Sequence, residues 1–212
     1  FVPTAVLVIT LPLTLLVVGP VMTGVSNALA TGVNALYNAV PVVCGGVLGA
    51  FWQLFVMMGV HAAMIPIILN NLTTLGYCPV NAILGLTVWA LAGVALGYAL
   101  KVKDGETRAT AFGTMASALC GITEPGVYGV LFPKTYPLIG AMIGGGIGGL
   151  LAGILGMTQY VISTPGFISL PAYIDPTGSS YNLIVSVIVM IVAVVLGFVA
   201  TYALGKRAEA KK

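Results

Sequence analysis

The sequence predicts an all-α integral membrane protein, built of transmembrane helices plus one or two re-entrant helical hairpins. Three observations predict it. Hydrophobic residues make up 59% of the 212 residues and charged residues only 6%, against about 25% charged in an ordinary soluble domain. Mean hydropathy is +1.10. Apolar runs recur at roughly the 20 residues that a helix needs to cross the hydrocarbon core. With charge this sparse, the net charge of +3 reports orientation in a membrane and gives no footing for a nucleic-acid partner.

The runs follow one another along a single domain, residues 1–212. Ala5 to Met22 is apolar, with a kink expected at Pro12. Thr23 to Asn38 is small and polar, with Asn27, Asn34 and Asn38, and is open to an interfacial helix or a loop. Val42 to Val60 is the second span, followed by His61, Pro66, Asn70 and Asn71. Val80 to Leu100 is the third. Lys101 to Arg108 holds the only charge cluster inside the chain. Ala109 to Phe132 is apolar but interrupted at Glu124-Pro125. Pro137 to Met157 is a glycine-rich span, and Thr158 to Tyr181, with Pro165, Pro171, Asp175 and Pro176, reads as a loop. Asn182 to Leu204 is the last span, and Lys206, Arg207, Lys211 and Lys212 close the chain. Because the chain starts at Phe1 without an initiator Met, it is expected to be part of something longer.

Charge sets orientation. Basic segments favour the cytoplasmic side, which places the C-terminal tail and the Lys101–Arg108 cluster inside. Counting spans back from the tail, Ala109–Phe132 enters and leaves by the same face. Parity therefore makes it a re-entrant hairpin with its tip near Glu124. Such backbone is tolerated at membrane depth only where protein shields it or it lines a cavity. Val42–Asn71, with Gly59 and Pro66, is a candidate second hairpin. Paired broken segments of this kind point to a substrate site at the midplane.

Glu124 is the only acidic residue between Arg108 and Lys134. A carboxylate at the centre of a membrane helix costs about 2.5–3.5 kcal/mol, so it is expected to face a protein interior or wet cavity. The residue before proline is pushed out of helical dihedrals, and proline opens helices well. Glu124 is accordingly expected as the cap of the helix that follows. Its uses are three: a carboxylate accepting hydroxyl hydrogens from a sugar, a proton relay, or a structural group held by an amide or a lysine. His61 is the only histidine, and is either a satisfied group at a helix end or a proton acceptor for a hydroxyl. No cluster suggests a metal, and no cofactor is expected.

The cluster Asn70, Asn71, Thr73 and Thr74 either lines a polar path or caps helices. Gly144 to Gly149 fits G-x-G-x-x-G, but no strand precedes it. Gly140, Gly144 and Gly148, with Gly145, Gly149 and Gly153, recur every four residues and predict close helix packing. Trp52 and Trp89 are expected as packing or interfacial residues. Cys44, Cys78 and Cys120 are expected as small buried hydrophobes.

Gly121-Ile122-Thr123-Glu124-Pro125-Gly126-Val127-Tyr128-Gly129 resembles the GITEP signature of the membrane-embedded IIC component of phosphoenolpyruvate-dependent sugar phosphotransferase systems, in the glucose superfamily. Phe51 to Val56, Gly59-Val60-His61, Pro66, Asn70-Asn71 and Leu75-Gly76-Tyr77 resemble the β-glucoside permeases, with sucrose and trehalose permeases sharing much of the pattern. Ala62-Ala63 stands where that branch has a bulkier residue, and Gly126 where alanine is usual. The resemblance covers essentially the whole chain, as the C-terminal part of a IIC domain. It implies a permease that binds an external sugar, through Glu124, His61, Thr123 and Gly121, and carries it inward. A phosphocysteine on a IIB domain then phosphorylates the 6-hydroxyl, supplied by IIA and the general phosphotransferase proteins. It also implies a homodimer in the bacterial inner membrane. None of the three cysteines is expected to carry phosphate. The rival class is a proton-coupled sugar transporter that uses Glu124 as its relay.

Overall fold

The structure, a computed structural model, describes residues 2–210, with the backbone alone for Met22, Ser26, Leu29, Ala30 and 206–210. The basic tail that sets orientation falls there: the side chains of Lys206 and Arg207, and all of Lys211 and Lys212, lie outside the described residues. Among the described residues the regular structure is helical, with one isolated bridge between Cys78 and Gln159.

Helix α1 (Val2–Leu13) carries Pro12 inside it, and the ladder slips to π spacing over Thr14–Val18 before α2 (Gly19–Ala39) continues. The small polar stretch is thus a helix and not a loop. Val40 is pulled out of helical dihedrals ahead of Pro41, and α3 (Pro41–Met57) starts there. Gly59, at φ 74°, ends that helix. A 3₁₀ turn (Val60–Met64) leads into α4 (Ile65–Leu75), which packs against α2 and closes on left-handed Gly76.

Helix α5 (Pro79–Ala99) is the centre of the molecule and is buried along nearly its whole length. Its Pro79 sits in the first turn, where the missing N–H costs nothing. Around it pack α3, α6 (Gly105–Leu119), α8 (Thr135–Leu155) and α9 (Tyr181–Ala210). Among the described residues, four helical stretches are long and apolar enough to cross a membrane: Val2–Val25, Pro79–Ala99, Thr135–Leu155 and Tyr181–Gly205. The run read as a span over Val42–Val60 falls on α3, which has 17 residues and stops at Met57.

The glycine periodicity of α8 has two faces. Gly145, Gly149 and Gly153 meet Gly49, Gly45 and Pro41 of α3, backbone on backbone. Gly140, Gly144 and Gly148 meet Thr201, Gly197 and Ala193 of α9. A Cβ on Gly149 would fall on the Gly45 carbonyl oxygen. Main chain cannot rotate aside as a side chain can. Gly149→Leu is therefore expected to exceed the usual overpacking cost of about 1–3 kcal/mol. Its readout is loss of the monodisperse peak in size-exclusion chromatography of the detergent-solubilised protein.

The segment from α6 to Leu131 folds as a hairpin. After α6 comes a short turn, then α7 (Glu124–Gly126) running into a π stretch, Val127–Leu131. Gly126 approaches Thr114, and Gly129 approaches Thr110, so the arms run antiparallel. The 15 residues of α6 reach about 22 Å at 1.5 Å per residue, short of the roughly 30 Å hydrocarbon core. Asp104 caps α6, accepting from the Thr107 amide at 2.8 Å and hydroxyl at 2.6 Å. These bonds, the hydroxyl's first, hold its carboxyl below the usual aspartate range. A lowered pKa means the cap stabilises at neutral pH and is lost as pH falls through that lowered value.

Candidate functional site

The turn after α6 is a Schellman motif. Gly121 N–H donates to the Ala118 carbonyl at 2.8 Å, and Ile122 N–H to the Ser117 carbonyl at 2.9 Å. Such a turn needs a left-handed residue, and Gly121 supplies it at φ 90°. The Thr123 carbonyl then accepts from the Gly126 and Val127 amides, both at 2.9 Å. This corrects the expected cap by one position: Thr123 occupies it, and Glu124 is the first helical residue. Pro125 follows inside the first turn, where its lack of an N–H goes unfelt.

A second glycine locks this turn in place. Gly166, at φ 99°, belongs to the long connection between α8 and α9, in which Phe167–Tyr173 forms a 3₁₀ turn. A Cβ on Gly121 would fall on the Pro165 carbonyl oxygen, and one on Gly166 would fall on that of Leu119. The two backbones touch with no room for side chains.

Beside this contact lies a cavity of about 210 Å³. Six elements line it, one of them α4 through Ile65 and Ile68. The end of α3 gives Trp52 and Val56, and the 3₁₀ turn gives His61 and Met64. Helix α5 gives Asn81, Leu84, Gly85 and Val88. The hairpin turn gives Thr123 and Glu124, and the α8–α9 connection gives Gln159, Ser163 and Pro165. Three of the four residues singled out in the sequence therefore share one cavity, although His61 and Glu124 lie far apart in the chain. Gly121 does not line it and holds the turn beside it.

The size suits a small polar ligand. At about 210 Å³ it lies below the roughly 300–1,000 Å³ of drug-sized pockets, on the scale of one sugar ring. Trp52 supplies an aromatic side chain to the wall. Glu124 makes no ion pair among the described residues. The hydroxyl of Ser163 is buried without a partner among the described residues. Glu124 brings a carboxyl group to the wall, and the amides of Asn81 and Gln159 offer donors.

Asn81, Gln159 and Ser163 were not singled out from the sequence. Asn81 donates to Gln159 Oε1 across 78 residues of chain, and no spacing signal joins them. Asn70, Asn71, Thr73 and Thr74 do not reach this cavity. Asn71 pairs reciprocally with Asn34 at 3.1 and 3.3 Å, while Thr73 and Thr74 bond back to carbonyls of their own helix. Cys44 and Cys78 are buried, as expected, but Cys120 is exposed, because it occupies the C-cap position at the open end of α6.

The family described as "Phosphotransferase system, EIIC" matches residues 2–145. This chain belongs to the EIIC family of the phosphotransferase system. It is a membrane-embedded EIIC chain, in keeping with its apolar helices. It is 34% identical over 205 residues to the beta-glucoside-specific EIIBCA component of Dickeya chrysanthemi, covering 97% of this chain and 32% of that protein. To the arbutin-, cellobiose- and salicin-specific EIIBC component of Escherichia coli K12 it is 32% identical over 206 residues, 96% of this chain and 42% of the relative. The sucrose-specific EIIBC component of Pasteurella multocida is 30% identical over 212 residues, 99% of this chain and 44% of the relative. The EIIC chain thus spans a third to under half of these relatives. No solved structure matches it.

Proposed function

We propose that this EIIC chain forms the sugar-binding part of a β-glucoside permease that works by group translocation. One observation carries the reading: His61, Thr123 and Glu124 converge on a single ring-sized cavity with an aromatic wall. Glu124 accepts hydrogens from a pair of neighbouring sugar hydroxyls, since an ionised carboxylate offers two oxygens to such a pair. The bound sugar is presented at the cytoplasmic face to a phosphocysteine of a IIB domain. There the 6-hydroxyl oxygen attacks phosphorus, the S–P bond breaks, and the thiolate leaves. His61 takes the hydroxyl proton, which an imidazole does readily near neutral pH. The membrane chain supplies binding and alignment, and the partner supplies the phosphoryl group. Relatives named as EIIBCA and EIIBC components support that partnership.

In this reading the α6–Leu131 hairpin is re-entrant, the C-terminus is cytoplasmic, and the protein is a homodimer in the bacterial inner membrane. Sucrose is the second candidate, on the similarity to the Pasteurella multocida protein. The test uses membrane vesicles holding the full-length protein, with phosphorylated IIB. Radiolabelled salicin is expected to emerge as its 6-phosphate, and sucrose to do so only if salicin does not. Unphosphorylated sugar accumulating under a proton gradient would replace group translocation by proton coupling through Glu124.

A further inference from the structure

We propose that Asn81 and Gln159 form a second sugar contact in the cavity, separate from Glu124, and that this amide pair selects which hydroxyl configuration is accepted. The inference rests on the sugar-permease reading above.

Glu124 can only accept hydrogen bonds, whereas a sugar hydroxyl both donates and accepts. A site built on a carboxylate alone would hold hydroxyl hydrogens and leave other hydroxyl oxygens unread. Gln159 answers that need. Its main chain is clamped to Cys78 in both directions, with Cys78 N–H donating to its carbonyl at 2.7 Å and its own N–H donating back at 3.3 Å. Its side-chain oxygen accepts from Asn81 Nδ2. The residue is 1% exposed, so backbone and amide are both held still.

That arrangement leaves free groups of opposite kind. Gln159 Nε2 and Asn81 Oδ1 make no hydrogen bond among the described residues. Both residues line the cavity that Glu124 lines. Gly85 keeps the amide open to it: a Cβ there would stand 3.9 Å from Gln159 Nε2 and 2.9 Å from the Tyr173 hydroxyl. A fixed donor beside a fixed acceptor is the set that reads one hydroxyl by position. A site built to bond a hydroxyl rejects the analogue lacking it, because its buried polar groups are then stranded.

Gln159→Glu is the first variant. It keeps the oxygen that Asn81 donates to and replaces only the NH₂ group. Asn81→Ala is the second, and it removes the pair without touching the main-chain clamp on Gln159. Each is made in the full-length protein and checked for a monodisperse profile. Binding of phenyl β-glucoside and its four deoxy analogues, 2-, 3-, 4- and 6-deoxy, is then read by tryptophan fluorescence, with Trp52 in the cavity wall as reporter. Wild type is expected to bind one analogue at least about tenfold more weakly than the parent. In either variant the parent is expected to fall by about the same factor, while that one analogue changes less than about threefold, as a double-mutant cycle requires of a real contact. Equal losses for the parent and every analogue would make the pair a scaffold and overturn the proposal. Wild type binding sucrose but no β-glucoside would correct the substrate, and the same comparison on deoxysucroses then decides the pair. Wild type that binds no sugar would overturn the permease reading and this inference together.

Discussion

Glu124→Gln is expected to lower sugar affinity by about a hundredfold and to leave the fold intact. Hydrogen bonds to a charged group contribute about 1.5–3 kcal/mol each. Two hydroxyls held by one carboxylate therefore lose about 3 kcal/mol when one oxygen becomes an NH₂ that faces them with the wrong polarity. That corresponds to about two powers of ten in affinity. The fold is spared because the turn is held by main-chain bonds to the Thr123, Ala118 and Ser117 carbonyls. Glu124 itself is exposed and makes no ion pair among the described residues. Salicin binding and phosphorylation, measured beside thermal unfolding, read the two effects separately. A variant that unfolds early would make Glu124 a structural group. A variant that binds normally would take the carboxylate out of the site.

Gly121→Ala is expected to be worse for the protein although it adds only a methyl group. Left-handed backbone costs a non-glycine residue about 1–2 kcal/mol. The methyl must also enter the Pro165 carbonyl, with Thr164 Cγ2 at 2.7 Å, and overpacking adds about 1–3 kcal/mol. The sum is about 2–5 kcal/mol, and the turn carrying Thr123 and Glu124 has to move off the α8–α9 connection. Gly178 is the control. It has the same backbone sign, φ 87°, but nothing lies within 4 Å of its added Cβ. Gly178→Ala is therefore expected to show the strain alone, about 1–2 kcal/mol, with sugar phosphorylation unchanged. Equal effects from the two substitutions would mean that the contact between turn and connection holds nothing in place.

Much of this architecture could be read from composition and period. The charge-poor runs marked α5, α8 and α9 within a few residues, because membrane helices announce themselves by length and polarity. The four-residue glycine repeat in α8 foretold close packing, though not that its two registers serve different neighbours, α3 and α9. Glu124 stood out because an acid in apolar sequence is costly, and Pro125 because it marks a break. The cap was misplaced by one residue, since proline tolerates the second helical position as well as the first.

The rest of the site was hidden for a physical reason. Asn81 looked like any polar residue at a helix start, and Gln159 like any polar residue in a loop. Their meaning comes from the bridge between Cys78 and Gln159, a contact between distant segments that no local pattern encodes. Gly166 was equally silent. Its role depends on where Leu119 passes. Trp52, expected as a packing or interfacial residue, packs against the core and is also part of the cavity wall.

The central claim is that sugar occupies the cavity shared by His61, Thr123 and Glu124. Thiol protection tests it most directly. Cys44 and Cys78 are buried and Cys120 is exposed, so a Cys120→Ser background removes the accessible thiol. Ile65→Cys then places a reporter thiol in the cavity wall at a half-exposed position. Salicin at about ten times its Kd is expected to slow maleimide labelling of that thiol about tenfold, by mass action. Labelling at an unchanged rate, at a salicin concentration that saturates the tryptophan-fluorescence change, would mean that the sugar binds elsewhere.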